Sequence, residues 1–358
     1  MIKYLGSKRK LLSELLQVMA ALPNVTSVLD LFSGTARVAS ALRTRGYQVS
    51  ANDHNRYAFT LASCYVAADR GLHAEVAARH LAELNGLPGR AGYFTRTFCE
   101  EARYFQPKNG ARIDAIREAI AERGLPAAIE SILLVSLMEA ADRVDSTVGL
   151  QMAYLKQWAA RSYNELELRL PELTSGPPGA AYMLDAAACA RIGSFDAVYL
   201  DPPYNQHKYL NNYHVWESLV RWDKPEVYGI ARKRVDCRQY NSAFNSRPRI
   251  HAALRELVDS LDARYLVVSF NDEGYVSERE LCEILEARGP VAVLRVDSAR
   301  YVGAKIGIYN PAGEKIGKVS HLRNQELIFV VACGAELPRG IVERAEQSLG
   351  PRVAQVTL

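Results

Sequence analysis

Apolar residues at Leu11, Leu12, Leu15, Leu16 and Met19 recur every three to four positions. That spacing predicts a helix, which Pro23-Asn24 ends. The pattern then tightens into a short apolar run, Ser27 to Leu31, that reads as a strand. A turn, Phe32-Ser33-Gly34-Thr35-Ala36, leads into a helix from about Arg37 to Arg45, closed by Gly46. A second strand, Gln48 to Ala51, runs into Asn52-Asp53. Strand, helix and strand in this order argue for a parallel sheet with helices on its faces.

From about Asn55 to Pro178 strand signals fade and helical periods dominate, as over Ile129 to Ala141 and Trp158 to Leu170. A piece rich in glycine and aromatics, 86–110, interrupts them; its Tyr93, Phe94, Phe98, Tyr104 and Phe105 are expected to form a small core. Ser175-Gly176-Pro177-Pro178-Gly179 reads as a boundary loop. The sheet resumes with strands Phe195 to Leu200 and Tyr265 to Phe270. Leu254, Leu257, Val258 and Leu261 mark a helix between them, and another spans Ser277 to Arg288. Strands Val291 to Val296 and Leu327 to Val331 flank a turn at Asn310-Pro311-Ala312-Gly313, which predicts an antiparallel hairpin. The expected fold is α/β with a helical insertion domain. Residues 1–60 and 181–335 form one discontinuous domain, 61–180 the insertion, and 336–358 a peripheral tail.

The chain has 358 residues, 49% of them hydrophobic and 23% charged, which excludes a disordered or collagen-like protein. The six cysteines are scattered and form no C-x-x-C pair, so neither a structural zinc site nor a redox dithiol is expected. No apolar run is long enough for a membrane helix, and the first glycine precedes any apolar run, so the expected location is cytoplasmic. A net charge of +4 does not by itself imply polyanion binding. Its placement does: Arg232, Lys233, Arg234, Arg238, Arg247 and Arg249 face only Asp236 between positions 231 and 249. Lys305, Lys318 and Arg323, in and beside the hairpin, form a second basic candidate.

The most informative string is Asp201-Pro202-Pro203-Tyr204, at the end of a strand. Two prolines remove two backbone donors and stiffen the exit. What remains is a carboxylate, bare carbonyls and an aromatic ring at the edge where open α/β sheets bind ligands. Such a corner suits a planar heterocycle bearing an amino group: Asp201 and the Pro202 carbonyl accept its two hydrogens while Tyr204 covers the ring. After Asp30, Gly34 lets the backbone approach a ligand, but the full G-x-G-x-x-G fingerprint is absent, because Ala36 and Ala39 replace its later glycines. A pyrophosphate would be poorly served. Asp53, at the end of the second strand, stands where a carboxylate holds ribose hydroxyls.

Lys3-Tyr4-Leu5-Gly6-Ser7-Lys8, Asp30 to Ala36, Asp53 and Asp201 to Tyr204, in this order, resemble the Dam-like class of DNA adenine methyltransferases in alpha motif order. The resemblance implies a Rossmann-like methyltransferase sheet, S-adenosyl-L-methionine as cofactor, duplex DNA as partner, no metal, and base flipping. It implies that Tyr4, Lys8, Phe32, Gly34 and Asp53 line the cofactor pocket, with Asp30, Ser33 and Thr35 in the same loop, and that Asp185 meets the cofactor adenine. The insertion falls where the class places its target-recognition domain. Ala36 for a second glycine and Tyr4 for tryptophan suggest a restriction–modification branch, with a cognate endonuclease as a further partner. An RNA base amino-methyltransferase and a Rossmann-like nucleotide-binding regulator are the alternatives.

Overall fold

In the computed structural model, residues 1–239, 241–271, 274–299 and 323–348 are described; of 297–299, 323 and 324 only the backbone is. Seven strands form one sheet: β1 (Ser27–Asp30), β2 (Gln48–Asn52), β3 (Ala180–Tyr182), β4 (Ser194–Leu200), β5 (Asp262–Asn271), β6 (Val291–Ala299) and β7 (Arg323–Ala332). Their order is 3-2-1-4-5-7-6. The first five are parallel, and β7 runs antiparallel to both β5 and β6. The chain therefore travels one way from β1 and the other way from β4, so the topological switch point lies between those two strands.

The central strands are apolar on both faces because helices cover both. Val28, Val49, Ala197, Val267 and Val330 feed one core, while Leu29, Val198, Leu266, Phe329 and Val331 feed the other. On the first face lie α1 (Leu12–Ala21), α2 (Arg37–Thr44), α3 (Arg56–Ala62), α4 (Arg70–Asn85), α5 (Pro107–Glu122), α6 (Ala127–Arg143) and α7 (His214–Arg221). On the second lie α8 (Ile250–Ser260) and α9 (Glu278–Leu285). Helix α6 is buried nearly all round and joins residues 61–180 to the sheet in one continuous core. The aromatics Phe94, Phe98, Tyr104 and Phe105 are fully buried in that core, as expected.

Three elements differ from the sequence-based expectation. Trp158 to Leu170 is not a helix: a short 3-10 turn, Ala160–Tyr163, gives way to an extended strap. Its Leu166 and Leu168 alternate inward, a period of two, and Pro171 blocks helical continuation. Side chains replace a neighbouring strand. Asn109 bonds the backbone of Ser162, Asn164 and Leu166, Asn85 bonds Leu168 twice, and Ser136 bonds Arg169. Strand β3, three residues at the sheet edge, carries too little pattern to be read in advance. After Pro338 the chain is not peripheral: α10 (Arg339–Ser348) buries Ile341 and Ala345 against the main core and reaches Gln17 of α1 through Arg344. The antiparallel pairing of β6 with β7 is as expected; its turn lies outside the described residues, as do Lys305 and Lys318.

Candidate active site

The carboxyl ends of β1, β2 and β4 deliver Asp30, Asp53 and Asp201 to one cleft. Every expected cofactor residue lines it: Tyr4, Lys8, Asp30, Phe32, Ser33, Gly34, Thr35, Asp53 and Asp185, together with Asp201 and Pro203. The sheet topology explains the convergence, since β1 and β4 flank the switch point.

The turn after β1 is held from three sides. Ser33 N donates to Asn52 O at 2.8 Å and Gly34 N to Asp53 Oδ2 at 3.0 Å, while Asn55 holds the other Asp53 oxygen. Gly34 has φ +50°, and a Cβ there would lie 3.3 Å from the Tyr4 ring. Glycine thus serves both the conformation and the close approach of Tyr4. Ala36, fully buried, takes φ +57° without a glycine's freedom. Asp185 lines the cleft while its carboxylate caps the short helix Ala186–Cys189 through Ala187 N.

Asp201 is the centre of a part-buried charge network. Its Oδ1 takes Lys8 Nζ at 3.1 Å and the Ser269 hydroxyl at 3.2 Å. Since Ser269 donates its only hydrogen to Asp201, the Tyr199 hydroxyl, 2.7 Å away, donates to Ser269. Lys8 also lies 3.7 Å from Glu326 Oε2. Burial pushes the Asp201 carboxyl above the usual carboxylate range, and Lys8 and Ser269 pull it back toward the anion. Burial works against the Lys8 ammonium, but Asp201 and Glu326 outweigh it and hold Lys8 charged. Asp30 is pushed well up by burial and by Asp201. Of the proline string, Pro202 is buried, and the Tyr204 ring leans on Phe270 with centroids 5.1 Å apart rather than lining the cleft.

The sequence model of the D12 class N6 adenine-specific DNA methyltransferase family matches residues 4–282. The chain belongs to this family. It is 30% identical over 318 residues to the type II methyltransferase M.NlaIII of Neisseria lactamica, covering 85% of this chain and 93% of that one. It is 28% identical over 302 residues to the modification methylase StsI of Streptococcus sanguinis, covering 80% of this chain and 46% of that one. It is 26% identical over 324 residues to the type II methyltransferase M.FokI of Planomicrobium okeanokoites, covering 84% of this chain. The chain thus spans about half the length of the latter two relatives, with 46% and 49% of them covered. Family and relatives give the activity: site-specific methylation of adenine in DNA.

Within this family assignment the basic segment divides. Arg234 is a correction to the expected DNA surface. Its guanidinium is 1% exposed, bonds both Asp223 oxygens at 2.7 Å and reaches Asp236 at 2.9 Å. A group so enclosed and satisfied braces the fold. Arg232 pairs with Glu101 at 3.4 Å. Lys233 is half-buried, whereas Arg238, Arg247 and Arg249 are exposed, Arg238 stacked 3.9 Å over the Tyr228 ring. Asn245, two positions before Arg247, lines the cleft and bonds the carbonyls of Asn205 and His207. Arg323 opens β7.

Several site residues had no motif to announce them. Tyr209 and Tyr213 stack on Tyr4, at 5.3 and 4.5 Å between centroids. Asn52 clamps Leu31 and Leu184 between strand ends. Ser269 was findable as a polar residue at the end of an apolar strand. Glu326 was not, because its place depends on β7 pairing antiparallel, Asn271 opposite Glu326.

Proposed function

We propose that this chain transfers a methyl group from S-adenosyl-L-methionine to the exocyclic amine of an adenine swung out of duplex DNA, with Asp201 as acceptor of that amine. The observation that carries the reading is that Asp201 shares one cleft with the Gly34 turn and Asp53. The chemistry of the lining fits the cofactor. Four carboxylates, Asp30, Asp53, Asp185 and Asp201, face two cations, Lys8 and Arg37. The buried Asp30 Oδ1 and Ser33 Oγ lack hydrogen-bond partners among the described residues. Such a lining favours a cationic ligand rich in donors over a pyrophosphate.

Bound there, S-adenosylmethionine supplies an electrophilic methyl group on a positively charged sulfur that leaves with the S–C electron pair. Asp53 holds ribose hydroxyls, Phe32 and Gly34 border the sugar and methionyl portions, and Asp30 meets a cationic donor. Asp201 and the Pro202 carbonyl accept the two N–H groups of adenine. This localises the nitrogen lone pair for attack, and the carboxylate meets the positive charge that develops there. After the N–C bond forms, one proton passes from that nitrogen to Asp201. Alignment of two held reactants supplies much of the remaining rate. Base extrusion costs a few kcal/mol and is offset by contacts to DNA from Arg238, Arg247 and Arg249 and from the insertion, which we assign as target-recognition domain. A cognate endonuclease belongs to the same reading, on the strength of the type II relatives, as does a cytoplasmic location; among the described residues no helix is long and apolar enough to cross a membrane.

Calorimetry tests the cofactor assignment. Wild-type protein is expected to bind S-adenosylmethionine and not NAD, and Asp53→Ala to weaken binding tenfold or more, by about 1.4 kcal/mol. Unchanged affinity in Asp53→Ala would remove Asp53 from the pocket.

A further inference from the structure

Lys8 is shared. Its ammonium stands 3.1 Å from Asp201 and 3.7 Å from Glu326, and only 8% of its side chain is exposed. Glu326 arrives from β7, pinned opposite Asn271 by the sheet register, and Asn271 Nδ2 donates to its Oε1 at 3.1 Å. The other oxygen, Oε2, is buried, has no hydrogen-bond partner among the described residues, and is the one turned to Lys8. An anion held this way competes with Asp201 for Lys8.

We propose that Glu326 is a positioning residue of methyl transfer, dividing Lys8 with Asp201 and so setting how strongly Asp201 holds the adenine amine. The proposal rests on the reading of Asp201 as amine acceptor. Without Glu326, Lys8 is committed wholly to Asp201, and the carboxylate becomes a weaker acceptor. When the adenine nitrogen forms its N–C bond, it gives up one of its two protons to Asp201. Asp201 becomes a neutral acid, and Lys8 keeps an anionic partner in Glu326 until the proton leaves Asp201 for water. Lys8 thus keeps an anionic partner through the cycle, which matters in a part-buried cluster. The other titratable groups facing this cluster are Asp30, Tyr199 and Tyr209.

Glu326→Gln tests it, since glutamine keeps the volume and the acceptor for Asn271. The full chain is prepared with 13Cγ-labelled aspartate, and the Asp201 signal is the one absent from Asp201→Asn. Glu326→Gln is expected to move the Asp201 titration midpoint down by about one pH unit and to lower kcat about tenfold, with KM for cofactor and DNA unchanged. Lys8→Met is expected to move the midpoint up. An unmoved midpoint in Glu326→Gln, or loss of cofactor affinity by calorimetry, would overturn the proposal and leave Glu326 a structural residue. Activity surviving in Asp201→Asn would instead overturn the underlying reading of Asp201.

Discussion

At the scale of single residues, arginines of one basic segment carry opposite expectations. Arg234 is enclosed by Asp223 and Asp236. Removing one partner of such a buried cluster strands the rest, so Arg234→Ala should cost about 3–5 kcal/mol in urea denaturation. Arg238, Arg247 and Arg249 are exposed. Alanine at Arg247 and Arg249 should leave stability nearly unchanged and weaken DNA binding. It should also lower the slope of log K against log salt by roughly 0.9 for each phosphate no longer neutralised. Unaltered salt dependence would show that these side chains do not touch the backbone of DNA. Asp142 supplies a pH test. Burial raises its carboxyl to about 6, against the pull of Lys3. A carboxyl raised in the folded state makes the fold lose stability as pH climbs from the unfolded value near 4 to about 6. Asp142→Asn should therefore gain on wild type by up to about 3 kcal/mol between pH 4 and 7, and a constant difference across that range would refute the shift.

At the scale of elements, the turn after β1 shows what a pattern can and cannot reveal. Gly34 and Ala36 both take left-handed φ, +50° and +57°. Gly34→Ala adds about 1–2 kcal/mol of conformational cost and sets a methyl 3.3 Å from a Tyr4 ring already stacked on Tyr213. Cofactor affinity should fall at least tenfold with circular dichroism unchanged, and an intact dissociation constant would refute the role of the turn. Ala36→Gly relieves a similar cost but loses a buried methyl worth about 0.8 kcal/mol, so its Tm should stay within about 2 °C of wild type. The strand-turn-helix run through Ala36 and the strand before Asp201 were legible because apolar runs and turn residues agree there on one structure. The strap after Tyr163 was not legible. Its leucines fit a helix or a strand over so short a span, and what decides is Asn85, Asn109 and Ser136 on distant helices. Glu326 was invisible for the same reason: β7 sets its neighbours by pairing with β5, not by its own sequence.

At the scale of the molecule, residues 61–180 are packed into one core with the sheet rather than appended to it. Ile132 and Leu137 of α6 share a core with Val28 and Val49 of the sheet. Leu137→Ala should cost about 2–5 kcal/mol and lower a single cooperative transition, whereas two resolved calorimetric transitions would contradict the shared core. Formal net charge is +4 over the whole chain, yet the cleft lining is acidic and Arg238, Arg247 and Arg249 are exposed. The same molecule can therefore attract a cationic ligand to the cleft and a polyanion to its exposed arginines. One measurement reaches the central claim directly. The protein is incubated with DNA and S-adenosylmethionine tritiated on its methyl group, the DNA is digested to nucleosides, and label is followed by chromatography. The account predicts label in N6-methyldeoxyadenosine with wild-type protein and none with Asp201→Ala, although that variant still binds cofactor and DNA. Wild-type levels of labelled N6-methyldeoxyadenosine from Asp201→Ala would contradict it.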